Sequence, residues 1–407
     1  MAPLRRPLRW RFVSALAGVL LWLGSAASAF AAPTVVLISM DGTRPADLDA
    51  TELPALSRMQ RRGARAERMQ PVFPANTFPN HVSLVTGVSP ERHGIVNNVF
   101  IDPERGRFSY AGDPTWLEAE PLWSIVANHG VRSASYYWVG SEGKWRSGRG
   151  PDDWRAFSSR TRESEKMDQI LKWLALPEPE RPQLITAWFH GADGAGHRHG
   201  PGADAVRKTL AQQDVQLARL FTALDVRKRW AETTVLVVSD HGMQAIEQTV
   251  NLHAAFVEAE VEAQVHGGGG FVTVTLADPD DDLDDALETA RGLGLEAWAR
   301  GKGPAGLGSA NPRFGDLVAM APLGTAISKA GLLGRLQASF MGGTHGHRPD
   351  APSMGAIFLA LGRGVAAGSA PGQVRALDVA PTVLSLLGLP VPDTMEGRPI
   401  DLEGNPN

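Results

Sequence analysis

The chain has 407 residues, 40 Lys and Arg against 44 Asp and Glu, 43% hydrophobic and 21% charged residues, and no cysteine. That composition is globular, and it excludes a disordered or collagen-like chain and a polytopic membrane protein. Without cysteine there are no disulfides, thiolate zinc sites, iron–sulfur clusters or cysteine nucleophile, so any metal must be held by His, Asp and Glu.

In chain order, the first segment reads as an export signal. Arg5, Arg6, Arg9 and Arg11 form a basic start, residues 12–24 an apolar run, and Ala29-Phe30-Ala31 a cleavage site of small residues. The apolar run falls short of the roughly 18 to 20 residues of a membrane span. This favours a cleaved signal peptide over residues 1–31, no stable membrane span afterwards, and a periplasmic or secreted protein. Cleavage removes four arginines and no acid, moving the formal charge from −4 to −8. Such a chain is not a nucleic-acid partner of the basic-patch type.

Residues 34–40 (TVVLISM) form a short, wholly apolar, β-branched run, suited to a strand buried on both faces. Similar runs recur at 133–139, 184–189, 235–239 and 356–361. Helical stretches lie between them at 54–62, 121–129, 163–174, 203–224 and 377–387. The alternation predicts an α/β fold: a doubly wound, mostly parallel sheet flanked by helices, with residues 32–407 as the catalytic domain. Residues 254–340 break the pattern and are read as a smaller inserted cap subdomain. Within them, Gly267–Gly270 is read as a plain loop and the acidic run 278–285 as a solvated helix start.

Ligands of doubly wound sheets sit at the carboxyl ends of strands. There stand Asp41, the pair Asp240-His241, the Gly-rich segment holding Asp193 and His197, and His345 flanked by glycines. Each alone has a plain reading as a turn former or a satisfied histidine. Together, three Asp and three His at loop or strand-end positions make two three-ligand sites with open positions, a catalytic zinc arrangement. Thr77 lies in a proline-punctuated segment running into a helix at about 79–86. It would stand at or just before the helix N-terminus, where an anion is favoured and where its bland role is an N-cap.

The motifs occur in an order that resembles a known family. They are Asp41-Gly42, Phe73-Pro74-Ala75-Asn76-Thr77-Phe78-Pro79-Asn80-His81, Leu84-Val85-Thr86-Gly87, Pro90-Glu91-Arg92-His93-Gly94, Asn97-Asn98, Asp193-x-x-x-His197, Ser239-Asp240-His241-Gly242-Met243 and His345-Gly346. The sequence is similar to the nucleotide pyrophosphatase/phosphodiesterase family of the alkaline phosphatase superfamily, over most of residues 34–400. The resemblance implies two Zn2+ per chain. One would be held by Asp41, Asp240 and His241 with Thr77 as activated ligand, the other by Asp193, His197 and His345. It also implies that Asn98 contacts a non-bridging phosphoryl oxygen, and that Phe78 and Trp188 sandwich a nucleobase. Tyr137 and Trp138 are further pocket residues; His199 and His347 fall outside the ligand register. The implied reaction cleaves phosphodiester or pyrophosphate bonds of nucleotides through a covalent threonine intermediate, releasing nucleoside 5′-monophosphates.

Where relatives often carry acids just before the Asp that matches Asp193, this chain has His190-Gly191-Ala192. A phosphomonoesterase, a phosphonate hydrolase or a choline-lipid phosphodiesterase would use the same metal cage. A metal-binding pseudoenzyme is the non-enzymatic alternative.

Overall fold

The structure, a computed structural model, describes residues 32–328 and 341–404; the expected signal peptide lies outside them. No helix among the described residues is long and apolar enough to cross a membrane.

The strands are β1 (Thr34–Met40), β2 (Ala64–Arg65), β3 (Ser133–Tyr136), β4 (Asp153–Arg155), β5 (Leu184–Phe189), β6 (Thr233–Val238), β7 (Ala263–Gly268), β8 (Phe271–Leu276), β9 (Glu296–Ala299), β10 (Leu317–Met320) and β11 (Phe358–Gly362). The main helices are α1 (Pro54–Arg62), α2 (Thr77–Thr86), α3 (Leu122–Asn128), α4 (Glu163–Ala175), α5 (Gly191–His199), α6 (Asp204–Arg227), α7 (Pro279–Gly292) and α8 (Val379–Leu387). A seven-stranded sheet runs β2-β11-β6-β1-β5-β3-β4. β6, β1, β5, β3 and β4 are mutually parallel, and β11 is antiparallel to β6. β1 is central and buried along its whole length. Val36, Ile38 and Met40 face the layer of α1, α4 and α6, and Val35 and Leu37 face the layer of α2, α3 and α8. Each such aliphatic side chain contributes about 1.5–3 kcal/mol by burial.

Three sequence expectations are corrected. The run 133–139 ends as a strand at Tyr136, because Tyr137 takes a left-handed turn at φ 57. The run 356–361 yields an antiparallel strand. Gly267–Gly270 is not a plain loop: Gly267 and Gly268 close β7, and the chain turns through Gly269 and Gly270 into β8.

Residues 263–320 hold a second sheet, wholly antiparallel, in the order β7-β8-β10-β9. One face packs under α7 through Val272, Val274, Ala286, Leu287 and Ala319. The other brings Phe271, Trp298, Val318 and Met320 against Phe73, Phe78 and Trp188. The small sheet therefore forms one wall of the aromatic cluster beside the carboxyl ends of β1 and β5.

Candidate functional site

β1, β5 and β6 are adjacent and parallel, so their carboxyl ends open at one edge. Asp41 follows β1 directly, and Asp240-His241 follows β6 after Ser239. α5 starts just after β5, and its Asp193 and His197 share one helical face because they are four apart. That segment is helical, correcting the expectation of a loop. His345 follows the two-residue strand Gly343–Thr344, which pairs with Gln244–Ala245.

The six residues form two clusters, Asp41 with Asp240 and His241, and Asp193 with His197 and His345. Within each, one ligand atom per residue lies within 4.8 Å of the others. The rings of His241 and His345 stack at 3.8 Å, so the clusters adjoin. Every imidazole has its Nδ1 engaged away from the cluster: His197 with the Gly343 carbonyl at 2.9 Å, His241 with the Gly242 carbonyl at 2.8 Å, His345 with Asn76 Oδ1 at 2.9 Å. Each Nε2 then turns inward, that of His241 toward Thr77 Oγ1, as in imidazoles that bind metals. Asp41 Oδ1, Asp193 Oδ1 and Asp240 Oδ2 are buried without hydrogen-bond partners. Burial, then the Asp240 and Asp193 charges, raise the Asp41 pKa well above the usual carboxylate range. Burial also acts to raise that of Asp240, but His241 and His81 outweigh it and lower it. Burial, then His241 and His197, push the His345 pKa well down. Three crowded carboxylates facing three lone pairs is a repulsive set that divalent cations would neutralise. N/O ligands in threes fit zinc.

Thr77 is the first residue of α2, not its N-cap; Asn76 holds that position, with its side chain drawn to His345. Thr77 Oγ1 lies 3.1 Å from His241 Nε2, at the seam of the two clusters. Asn98 Oδ1 accepts the Phe78 amide at 2.8 Å, which leaves its NH2 group as the donor end, beside the Tyr110 hydroxyl. His81, absent from the sequence-derived site, approaches Asp240 Oδ2 at 3.3 Å through Nδ1. Trp188 donates its indole N–H to Asp41 Oδ2 at 2.8 Å.

A cavity of about 360 Å³ opens beside Thr77, lined by Phe78, Tyr110, Tyr137, Trp138, Phe157 and Trp188 among others. Phe78 and Trp188 do not form opposite faces of a slot: their rings meet at 85° with centroids 6.3 Å apart. The ring lying nearly parallel to Trp188 is Phe157, at 5.3 Å and 24°. Sequence reasoning missed Phe157, which follows the edge strand β4 and carries no motif. It also missed Tyr110, at the end of the hairpin Val99–Asp102/Gly106–Ser109, and Glu142, whose Oε1 accepts the Phe157 amide at 2.8 Å. Trp138 is tied to the His81 carbonyl at 2.9 Å, and Tyr137 to Thr161. His190 borders the same cavity. A second cavity of about 660 Å³ shares Asn98, Tyr110, Gly194, His197 and His345 with the first and includes Arg198 and Gly267–Gly269. His199 is exposed, and His347 is buried with Nδ1 on the Ala321 carbonyl at 3.0 Å.

Comparison with known proteins gives concordant results. A stretch of human ectonucleotide pyrophosphatase/phosphodiesterase family member 1 is 33% identical over 222 residues, 53% of this chain and 24% of that protein. A pyrophosphatase/phosphodiesterase of Schizosaccharomyces pombe, itself uncharacterized, is 36% identical over 217 residues, 52% of this chain and 44% of that protein. The chain thus spans less than half the length of these relatives. The solved structure of murine ectonucleotide pyrophosphatase/phosphodiesterase 5, an inactive variant in complex with AMP, superposes with a TM-score of 0.81. It has 23% identity and covers 89% of this chain and 97% of its own, a likeness of fold, the alkaline-phosphatase-like α/β arrangement. The family model for type I phosphodiesterase / nucleotide pyrophosphatase matches residues 35–348. That span contains Thr77, Asn98 and all six clustered Asp and His residues, and the chain belongs to this family.

Proposed function

We propose that this protein hydrolyses phosphodiester or pyrophosphate bonds of nucleotides and their derivatives, releasing nucleoside 5′-monophosphates. The observation that carries the proposal is the placement of the Thr77 hydroxyl, 3.1 Å from His241 Nε2, beside the two adjoining three-ligand clusters and in the wall of the smaller cavity. Asp41, Asp240 and His241 would hold one zinc ion, and Asp193, His197 and His345 the other. When bound, the ions supply charge that lowers the pKa of a nearby hydroxyl and neutralises phosphoryl oxygens.

This chain's residues do the rest. Thr77 Oγ1, deprotonated, attacks phosphorus in line as the opposite bond to the leaving alkoxide or phosphate oxygen breaks and that group departs, and the N-terminus of α2 favours the anionic oxygen. The Asn98 NH2 group donates to a non-bridging oxygen as charge develops there. The nucleotidyl group is carried on Thr77 until water releases it. Phe78, Trp188, Phe157 and Tyr137 enclose the base side, and Trp188 keeps Asp41 oriented through its N–H. The product class matches the AMP in the murine relative's complex. Two cavities that meet at Asn98, His197 and His345, one of them lined by Thr77, suit a phosphorus with two substituents. Arg198 is the only Arg or Lys among the described lining residues, and it borders the larger cavity alone. That favours a diester, because a dianionic monoester needs more positive charge.

The test is turnover of the zinc-loaded protein on a nitrophenyl ester of a nucleoside 5′-monophosphate beside nitrophenyl phosphate. A diester preference of about a thousandfold, roughly 4 kcal/mol of transition-state discrimination, is expected. Thr77→Ala should lower turnover at least about a thousandfold while keeping zinc; full turnover in that variant would sink the nucleophile assignment.

A further inference from the structure

The three imidazoles of the two clusters are not held alike. His197 and His241 face backbone carbonyls, which only accept, so their Nδ1 atoms must carry the proton. His345 faces the side-chain amide of Asn76, which could turn either its oxygen or its NH2 group to the ring. With the NH2 group there, Nδ1 would be the acceptor, the proton would sit on Nε2, and the inward lone pair would be gone.

The Ala75 carbonyl, which also lies by the ring, favours a donor there, and a chain of contacts behind Asn76 sets the same polarity. The backbone N–H of Asn98 can only donate, and it points at the Asn97 side chain at 2.8 Å, so that atom is Oδ1. The same oxygen meets the Asn76 amide at 2.8 Å, so Asn76 presents Nδ2 there. Its other end, toward His345, is therefore Oδ1, and His345 Nδ1 is the donor. We propose that Asn76 and Asn97 are positioning residues that transmit the polarity of the Asn98 backbone amide to His345 and thereby keep its Nε2 open to a cation. The relay ends on the residue whose own side chain faces the phosphoryl position, so one hydrogen-bond chain serves both a ligand and a phosphoryl contact.

The site is built for this relay. Asn76, Asn97 and His345 are all buried. A Cβ on Gly346 (φ +96) would lie 2.6 Å from Asn76 Oδ1, and one on Gly267 (φ +98) 2.6 Å from Asn97 Nδ2. Two glycines from separate motifs thus leave room for the two amides. Asn97 Nδ2 has no hydrogen-bond partner among the described residues, so the function of Asn97 lies in its oxygen, and Asn97→Asp retains it.

The inference rests on His345 being a metal ligand, and the experiment separates the two. Histidine nitrogen NMR of the zinc-free protein, above neutral pH, reports the His345 tautomer. Competition with a chromophoric chelator reports zinc affinity. The unaltered protein should show Nδ1–H at His345 and two zinc sites. Asn97→Leu should shift His345 toward Nε2–H and weaken one zinc site at least about tenfold, the range found for outer partners of metal-bound histidines. Asn97→Asp should stay within about threefold of the parent. Parental affinity and tautomer in Asn97→Leu would overturn the relay, as would an Asn97→Asp variant as impaired as Asn97→Leu. An Nε2–H tautomer in the unaltered protein would overturn it without any variant having to fold. An unaltered protein that keeps Nδ1–H but binds no zinc would support the relay and sink the metal reading.

Discussion

Lys166 is fully buried, and none of its contacts within ion-pair distance among the described residues is a carboxylate. Its ammonium donates to the Trp188 carbonyl at 2.8 Å and to His190 Nδ1 at 2.9 Å, and lies 4.8 Å from the centre of the Tyr137 ring. Burial pushes its pKa down to about 8. Burial, then the Lys166 charge, push His190 down to about 4, so His190 is neutral at pH 7. A positive charge behind the aromatic pocket opposes a choline-type headgroup and tolerates a neutral base. It also gives stability a pH dependence. The unfolded chain holds the Lys166 proton up to about pH 10.5 and the folded chain only to about 8, so the unfolded state binds more protons in between and stability rises with pH across that window. A shift of that size corresponds to roughly 3 kcal/mol. Urea unfolding at pH 7.5 and 10 is expected to show this rise, and Lys166→Met to flatten it; an unchanged slope in the variant would contradict the assignment. None of this was legible in the sequence. Lys166 sits in the first turn of α4 in an ordinary amphipathic pattern, and only packing against β5 turns it inward.

At the scale of elements, local chemistry set most boundaries. Pro54 opens α1, and the buried Asp214 carboxylate on α6 accepts the Ala55 and Leu56 amides at 2.9 and 2.8 Å, satisfying a helix start that has no cap of its own. The acidic run beginning at Asp278 is a helix start as read: Asp278 caps α7, accepting the Asp280 and Asp281 amides. Because α7 lies on the face of the small sheet away from the site, Asp278→Ala is expected to lower stability by about 1 kcal/mol and leave kcat/KM unaltered. Thermal unfolding together with diesterase assays checks both halves. α5 was the harder case. Gly191, Gly194 and Gly196 argue against a helix by propensity, yet the segment is helical. The reason is tertiary: a Cβ on Gly196 would lie 3.0 Å from Met243 Cε, and the strand before His345 docks so closely that a Cβ on Gly343 would lie 2.7 Å from the Gly196 carbonyl oxygen. Gly196 makes room for Met243, and Gly343 lets the His345 strand dock on the helix.

Across the whole molecule, the small sheet is tied to the catalytic side through Arg313. Its buried guanidinium meets Asp102 Oδ2 at 2.6 Å, Glu118 at 3.2 Å, and the Gly94 and Trp116 carbonyls at 2.9 Å each. Burial tends to raise the Asp102 pKa, but the Arg105 and Glu104 amides and Arg313 outweigh it and leave it lowered. Removing one partner of a buried pair leaves the other charge uncompensated. Arg313→Met is expected to cost on the order of 3 kcal/mol, read as a shift of the urea midpoint, with part of the loss relieved at acid pH as Asp102 takes up a proton. A surface-like cost below about 0.5 kcal/mol would show that the link does not matter. The sequence by itself determined the order of five strands and five helices around the main sheet, the buried central strand and the six Asp and His positions. Those are properties of short windows, apolar periodicity and residue chemistry at strand ends. Only the tertiary structure decided the antiparallel direction of β11, the edge-to-face meeting of Phe78 and Trp188, the arrival of Phe157 and Tyr110, and the amide relay to His345. Each of these joins segments distant in the chain, and no local pattern encodes the approach of two side chains from different elements.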